Sequence, residues 1–393
     1  MDPVTTARQA VDALGTDALQ RAGAYTTGSE WIAGWELVVA FLIAWLLLRS
    51  RLLARLWMRW ERRSTLVRTF GVCTVYIIAS ALLALPWSLY TEWWREAHYG
   101  RTSQPLGDHL FQAGLSLLLS AVILGLFLTG VYFFLHRARE RWWLWSSGLA
   151  ALGLVVVLLL SPLLIEPLFN QYQPLGDGPV RQALEQQAAT AGIPADRLFV
   201  YDGSRQSNNF TANVSGLGPF ARIAISDVAL HGASLEEVRA VTGHEIGHYV
   251  LGHVWRTVVV LSLLALVVFY AVHRLFAPAA RCLGTNEPLA SPAGLPVLAL
   301  LASVLMFTVQ PFSNWLVRVG ETEADQYSLQ TVNLPDAMVA ALLKTAAYRN
   351  PRPSALEEAL FYSHPSVERR VRAALQWKAD HPGSKIGRVE KAP

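Results

Sequence analysis

The sequence has few charged residues and almost no cysteine. Asp, Glu, Lys and Arg make up 16% of its 393 residues, against about 25% in ordinary globular domains. Cys73 and Cys282 are the only cysteines, which excludes a disulfide framework or a thiolate metal site. The net charge of +4 is small and the arginines cluster beside apolar runs, so no nucleic-acid partner is expected. The first 30 residues contain four acids and no apolar core, so no cleavable signal peptide is predicted.

Long apolar runs are abundant instead. The sequence is 53% hydrophobic with 14 Trp, a residue enriched at bilayer interfaces. A membrane-spanning helix needs about 20 mostly apolar residues, and the candidate runs are 31–48 (interrupted by Glu36), 69–90, 109–135, 143–165, 255–272 and 295–317. Buried helices of a large soluble protein rarely form so many uncharged runs with Arg at their ends. The prediction is a mainly α, polytopic bundle of about six transmembrane helices in a lipid bilayer.

Two polar blocks interrupt these runs and are predicted to form a zincin-like α+β catalytic domain. The expected division of the chain is a polar N-terminus (1–30), a four-helix transmembrane region (31–167), the first part of the catalytic domain (168–254), a transmembrane hairpin (255–317), and the second part of the catalytic domain with a solvated tail after Pro382 (318–393).

The first polar block contains recognisable local patterns. Residues 198–201 and 222–226 are predicted strands, and the Gly- and Asn-rich residues 208–218 are predicted to be extended. A helix is expected to begin at Ser234, because its spacing to Glu237 fits a capping box.

This helix carries an H-E-x-x-H motif. His244 and His248 are one turn apart and project from one helix face, so both imidazoles can bind one Zn²⁺. Glu245 lies beside them, where it can take a proton from the attacking water. So short a motif also occurs by chance. Its position within a helix that has a capping box favours the metal-site interpretation.

A catalytic zinc needs a third protein ligand. Glu321 and Asp325 share a helix face and Glu323 does not, so one of the first two is expected to bind metal and the other to hold a ligating histidine. A solvated acidic helix start would explain the same residues if the H-E-x-x-H motif were absent. On a continuous helix His253 points about 140° away from His248, which predicts a structural or interfacial role.

Topology predicts that both halves of the site meet. The H-E-x-x-H helix is expected to end at Trp255, where one apolar run begins, and Glu321 follows the end of the next run. Because consecutive transmembrane helices are antiparallel, both positions lie on the same side of the membrane.

Ordered motifs along the chain carry a resemblance. Besides the H-E-x-x-H block they are LPWSLY (85–90), HYG (98–100), EPLFN (166–170), PLGDG (174–178), IAISD (223–227), Arg318 with ExxAD (321–325), and SHPS with ER (363–369). From about residue 82 to 372 the chain resembles the CaaX prenyl protease 1 family of integral-membrane zinc metallopeptidases, to which the HtpX-type proteases are related.

The resemblance implies one zinc per chain, bound by His244, His248 and Glu321, with Glu245 as general base. It also implies that the transmembrane helices surround a water-filled chamber.

Further roles are implied around these ligands. Asp325 and Arg318 would contact the metal ligands rather than the metal itself. His364 would stabilise the oxyanion. Substrate backbone would pair with an extended edge strand by strand addition, and the residues expected there are Asn208, Thr211, Ala212 and Asn213. The family usually has Asn-Ala where Thr211 and Ala212 stand, and its eukaryotic members typically have seven membrane helices.

The predicted function is zinc-dependent endopeptidase activity on peptides or membrane proteins. The alternatives are a catalytically silent scaffold or chaperone, and a transporter. A transporter should carry charged or broken helices at the membrane midplane, and an inactive relative would usually have lost one of the four key residues.

Two arguments disagree about orientation. Loop 49–68 has seven Arg and one acid, loop 136–142 has three Arg and one acid, and loop 91–108 has two Arg and three acids. The positive-inside rule therefore places the catalytic domain outside, in the periplasm of a bacterial inner membrane. The family resemblance points to the cytosol. The charge pattern is favoured here.

Overall fold

The computed structural model describes residues 2–216 and 221–382, and long helices dominate the first half. These helices are α1 (Pro3–Asp12), α2 (Thr16–Ser50), α3 (Leu52–Arg59), α4 (Thr65–Ser88), α5 (Arg95–His98), α6 (Leu106–Ala138), α7 (Trp142–Leu160) and α8 (Glu166–Phe169). Single π-helical turns at Leu89–Trp94 and Ser161–Ile165 follow α4 and α7.

Five helical stretches in the described residues are long and apolar enough to cross a membrane. The third, Leu106–Phe169, spans 64 residues and folds back on itself where Arg139 adopts a positive φ of 45°. A Cβ on Gly130 would lie 2.6 Å from Leu149 Cδ2, so the glycine lets α6 and α7 pack closely as an antiparallel pair. Each of the six predicted apolar runs therefore lies in a helix of its own, and the prediction of a mainly α polytopic bundle is confirmed.

The polar N-terminus belongs to the catalytic end of the molecule. Helix α2 begins at Thr16, well before the predicted apolar run at 31–48. Hydropathy could not locate this start, because the first turns of the helix are polar. Helix α1 packs on the C-terminal helix, where Ala7 and Val371 are buried in one cluster. Arg352 forms an ion pair with Asp12 at 2.7 Å.

The second half contains the small sheet and the remaining helices. They are β1 (Tyr172–Pro174), α9 (Pro179–Thr190), β2 (Leu198–Tyr201), β3 (Ala212–Ser215), β4 (Arg222–Ser226), α10 (Asp227–Gly232), α11 (Leu235–Val250), α12 (His253–Cys282), α13 (Leu295–Thr331), α14 (Pro335–Thr345), α15 (Ala355–Phe361) and α16 (Val367–Asp380).

The four strands form one sheet in the order β1-β2-β4-β3. Strands β2 and β4 are parallel, and β3 runs antiparallel to β4 at the sheet edge. The two predicted strands have the observed bounds, and the predicted extended segment contains β3. Its residues 217 and 218, like the predicted tail at 383–393, lie outside the described residues.

Helix α11 begins as its sequence predicts but ends earlier. Ser234 and Glu237 form both hydrogen bonds of a capping box, at 3.2 and 2.7 Å. The helix ends at Val250 rather than Trp255, because Gly252 adopts a φ of 67° and α12 starts afresh at His253. The assumption of a continuous helix through His253 was wrong.

Polar contacts join the catalytic domain to one end of the bundle. Arg205 pairs with Asp108 at the start of α6, at 2.5 Å. The backbone N–H of Asn350 donates to Thr26 Oγ1 of α2 at 2.7 Å. A separate apolar cluster that includes Leu53, Trp142 and Phe276 packs the loops at the opposite end. The catalytic domain therefore lies against one end of the helix bundle.

Candidate metal centre

Two glycines let α11 and α13 approach closely. A Cβ on Gly243 would lie 2.4 Å from Val332 Cγ2, and one on Gly247 would lie 3.2 Å from Ala324 Cα. Because backbone atoms cannot move as a flexible side chain can, the contact at Gly247 favours the smallest residue. This close packing places Glu321 and Asp325 of α13 next to His244 and His248 of α11.

His244, His248 and Glu321 converge on one point. The Nε2 atoms of the two histidines are 3.1 Å apart. Glu321 Oε2 lies 3.3 Å from His244 Nε2, and its Oε1 lies 3.3 Å from His248 Nε2. His244 and Glu321 are buried. One ligand atom from each residue therefore lies within 4.8 Å of the other two.

This cluster fits a divalent metal ion. Two imidazole nitrogens and a carboxylate oxygen match the protein ligands of catalytic zinc sites. Glu321 Oε2 is buried and makes no hydrogen bond among the described residues; its polar neighbours there are His244 Nε2 at 3.3 Å and Arg370 Nη2 at 3.5 Å. A buried carboxylate oxygen is costly to leave without a hydrogen bond. A metal ion between the three side chains would satisfy that oxygen.

Asp325 and Arg370 support the cluster on the His244 side. Asp325 Oδ1 lies 2.8 Å from His244 Nδ1, and the carboxylate accepts two hydrogen bonds from Arg370, at 2.7 and 2.6 Å. Burial lowers the pKa of His244, but the carboxylates of Asp325 and Glu321 outweigh it and raise that pKa to about 10. Asp325 therefore occupies its expected place, with a supporting arginine that the sequence analysis missed.

Arg318, expected to support the ligands from behind, lies elsewhere. It donates to the carbonyl oxygens of Glu358, Ala359 and Tyr362 at the end of α15. The physical reason is that carbonyls in the last turn of a helix lack partners in a following turn; of these three, only Glu358 O accepts a backbone hydrogen bond within the described residues, from the N–H of Tyr362 at 3.3 Å. Arg318 thus anchors the loop that precedes His364, and Arg370 takes the place expected for it.

His253 supports the cluster on the His248 side, which the sequence analysis also missed. Its Nδ1 lies 2.8 Å from His248 Nδ1, and its Nε2 lies 2.8 Å from Glu323. Arg256 pairs with the same carboxylate at 2.8 Å. The sequence offers only a weak local sign of this contact, Gly252, where α11 ends and α12 begins at His253.

Glu245 lies in a cavity of about 380 Å³ beside the ligands. Burial raises the pKa of its carboxyl group. Thr211 and Ala212 of the edge segment also line the cavity. Asn208 does not, because its side chain donates to Gly100 O and Ser103, and Asn213, paired with Ala224 in the sheet, is not among the lining residues either.

His364 reaches the same cavity from the C-terminal part of the chain. Its Nε2 lies 3.3 Å from Glu321 Oε1. Burial lowers the pKa of His364 to about 4; Glu321 opposes this effect, and the positive charges of Arg349 and Arg370 add to it. The imidazole is therefore neutral near pH 7 and can donate or accept one hydrogen bond.

Comparisons with known proteins identify the family of the chain. Residues 174–378 match the family model described as peptidase family M48, and residues 5–171 match the model described as the CAAX prenyl protease N-terminal region with five membrane helices. The described part of residues 5–171 contains four long helices, α2, α4, α6 and α7.

Curated relatives and a solved structure cover most of the chain. The uncharacterized metalloprotease YhfN of Bacillus subtilis is 29% identical over 78% of this chain and 73% of its own length. The CAAX prenyl protease 1 homolog of Arabidopsis thaliana is 27% identical over 75% of this chain and 70% of its own length. The crystal structure of S. mikatae Ste24p shares the fold, with a TM-score of 0.77 at 22% identity over 93% of this chain and 90% of that one.

Proposed function

The chain belongs to peptidase family M48, and on that premise we propose that it is a membrane-embedded, zinc-dependent endopeptidase with Glu245 as its general base. The observation that carries the proposal is the convergence of His244, His248 and Glu321 in the cavity that also contains Glu245. The family and the transmembrane helices make it an integral-membrane metallopeptidase. The identity of the ion and the role of each residue are the proposed part.

His244, His248 and Glu321 would hold one zinc ion per chain. When bound, zinc lowers the pKa of water and polarises the scissile carbonyl. Glu245, whose carboxyl group lies in the cavity beside the ligands, would take the proton of the attacking water and later deliver it to the leaving amine. Neutral His364 would donate a hydrogen bond to the developing oxyanion.

Substrate would bind along the edge of the sheet. Strand β3 is paired with β4 on one side and, within residues 2–216 and 221–382, has no strand on its other side. An extended peptide can therefore add to it by backbone hydrogen bonds. Thr211 and Ala212 lie where that peptide would pass Glu245. Peptides or segments of membrane proteins are therefore the proposed substrates.

The proposed setting is a bacterial inner membrane with the catalytic end outside. The arginine-rich loops 49–68 and 136–142 flank the cluster at the opposite end of the bundle. Both described termini lie at the catalytic end, since α1 packs on α16. The positive-inside rule then places both termini and the site on the external face.

The test of the function is metal-dependent peptide hydrolysis by the purified full-length protein. We expect internally quenched peptides to be cleaved, a chelator to stop cleavage, and stoichiometric Zn²⁺ to restore it. A silent scaffold or a transporter would cleave nothing with zinc bound, and cleavage that is insensitive to chelation would rule out the proposed centre.

A further inference from the structure

A second positively charged group lines the catalytic cavity and has no acceptor among the described residues. The side chain of Arg349 forms part of the cavity wall and is half-buried. Its guanidinium lies 5.1 Å from the centre of the Tyr348 ring, and within residues 2–216 and 221–382 it makes neither a hydrogen bond nor an ion pair. Burial lowers the pKa of Arg349, which reflects the cost of withdrawing this charge from water.

The neighbouring arginines are all engaged. Arg370 pairs with Asp325, Arg352 with Asp12, and Arg318 donates to three backbone carbonyls. Arg101 donates to Asn209. A partly buried charge without a partner costs free energy, so the exception at the cavity is suited to an acceptor that arrives from outside the chain.

The backbone around Arg349 is held in place independently of its side chain. The N–H of Asn350 donates to Thr26 Oγ1 at 2.7 Å, and Tyr362 Oη donates to Asn350 O at 3.1 Å. The guanidinium of Arg101 stacks on the Tyr348 ring, 4.1 Å from its centre. Arg349 is thus positioned by its neighbours while its own donors stay available, which is the arrangement of a preformed binding group.

The cavity has room for a short peptide segment. Its volume of about 380 Å³ is near the lower limit of ligand pockets, about 300–1,000 Å³. Met338, Ala341 and Leu342 of α14 form an apolar part of the cavity wall, which Arg349 also lines. A peptide that places an apolar side chain on this wall would bring a nearby negative group to the guanidinium.

We propose that Arg349 binds a carboxylate of the substrate, so that this protein prefers peptides with a carboxylate close to the cleaved bond. A planar guanidinium and a carboxylate make two parallel hydrogen bonds, which gives both affinity and a fixed register. The carboxylate comes either from the free C-terminus of the peptide or from an Asp or Glu side chain. The inference rests on the proposed peptidase function, but it concerns binding and is testable without turnover.

The experiment measures peptide binding to the full-length Glu245→Gln protein loaded with zinc. Three pools of randomised hexapeptides without other acids are compared: free C-terminal acids, C-terminal amides, and amides with one Glu. We expect the acid pool or the Glu pool to bind about 10- to 100-fold more tightly than the plain amide pool, since a hydrogen-bonded charge pair is worth about 1.5–3 kcal/mol. The pool that gains affinity identifies the source of the carboxylate.

Matched variants make the test specific. Adding Arg349→Gln should equalise the three pools while zinc content stays the same, and Arg349→Lys should keep part of the preference. Arg372→Gln, an exposed arginine on α16, should keep all of it. Equal binding of the pools with Arg349 present, or a preference that survives Arg349→Gln, would overturn the inference. Failure of the peptidase proposal would instead appear as wild-type protein that cleaves none of the pools.

Discussion

Nδ1 of His253 lies 2.8 Å from Nδ1 of His248, so one of the two nitrogens must carry a proton for a hydrogen bond to form. Because Nε2 of His248 faces the cluster, its Nδ1 is the natural donor and His253 the acceptor. Such contacts behind a ligand fix its tautomer and ring orientation. His253 is therefore a positioning residue for the metal centre.

His253→Ala is expected to weaken zinc binding by about 10- to 100-fold, as loss of a contact behind a ligand usually does. Zinc affinity would be measured by competition with a fluorescent chelator. The matched control is Glu323→Gln: Glu323 pairs with His253 and Arg256, and its substitution should have a smaller effect. Unchanged affinity in His253→Ala would refute the positioning role.

Zinc binding should depend on pH through His244. Its pKa of about 10 in the metal-free protein means that zinc must displace a proton at any pH below that value. Affinity should therefore rise about tenfold per pH unit between pH 6.5 and 8.5 for one displaced proton. Asp325→Asn removes a charge that raises the pKa of His244 and should flatten this dependence. A flat profile in the wild-type protein would contradict the geometry at His244.

Arg318→Ala should destabilise the protein and slow turnover without removing zinc. Its guanidinium anchors the carbonyls of Glu358, Ala359 and Tyr362, and hydrogen bonds to a charged group contribute about 2 kcal/mol. The expected result is a lower melting temperature, a reduced kcat because the His364 loop loosens, and unchanged zinc content. Loss of zinc at an unchanged melting temperature would place Arg318 beside the ligands after all.

Orientation is testable at both ends of the chain. Since α1 packs on α16, the N-terminus and the catalytic domain lie on one side. Reporters active only in the periplasm, fused before Met1 or after Pro393, should both be active, and cytoplasmic reporters should be silent. The control is a fusion within loop 49–68, which should give the reverse result. Cytoplasmic activity at both termini would overturn the external assignment.

Local signals explain how much of the fold could be predicted. Hydropathy located the apolar part of each of the six predicted transmembrane helices, and the Ser234–Glu237 spacing located the start of α11, because these properties depend on neighbouring residues alone. The position of His253 could not be predicted in the same way. Its contact with His248 depends on the left-handed turn at Gly252, and an isolated glycine does not reveal that turn.

The supporting residues of the site depend on long-range packing. Arg370 reaches Asp325 across 45 positions, and Arg318 reaches the end of α15 across 40 or more. The family resemblance pointed to Arg318, which is three residues from Glu321 in sequence, and did not point to Arg370. Only the packing of α13 against α15 and α16 separates their roles.

We propose that His244, His248 and Glu321 hold the metal while Glu245 moves protons. The most direct test compares zinc stoichiometry and peptide hydrolysis in Glu245→Gln and Glu321→Gln, both purified as full-length protein. We predict that Glu245→Gln keeps about one zinc per chain and loses turnover, whereas Glu321→Gln loses both. Loss of zinc in Glu245→Gln, or retained zinc in Glu321→Gln, would contradict the account.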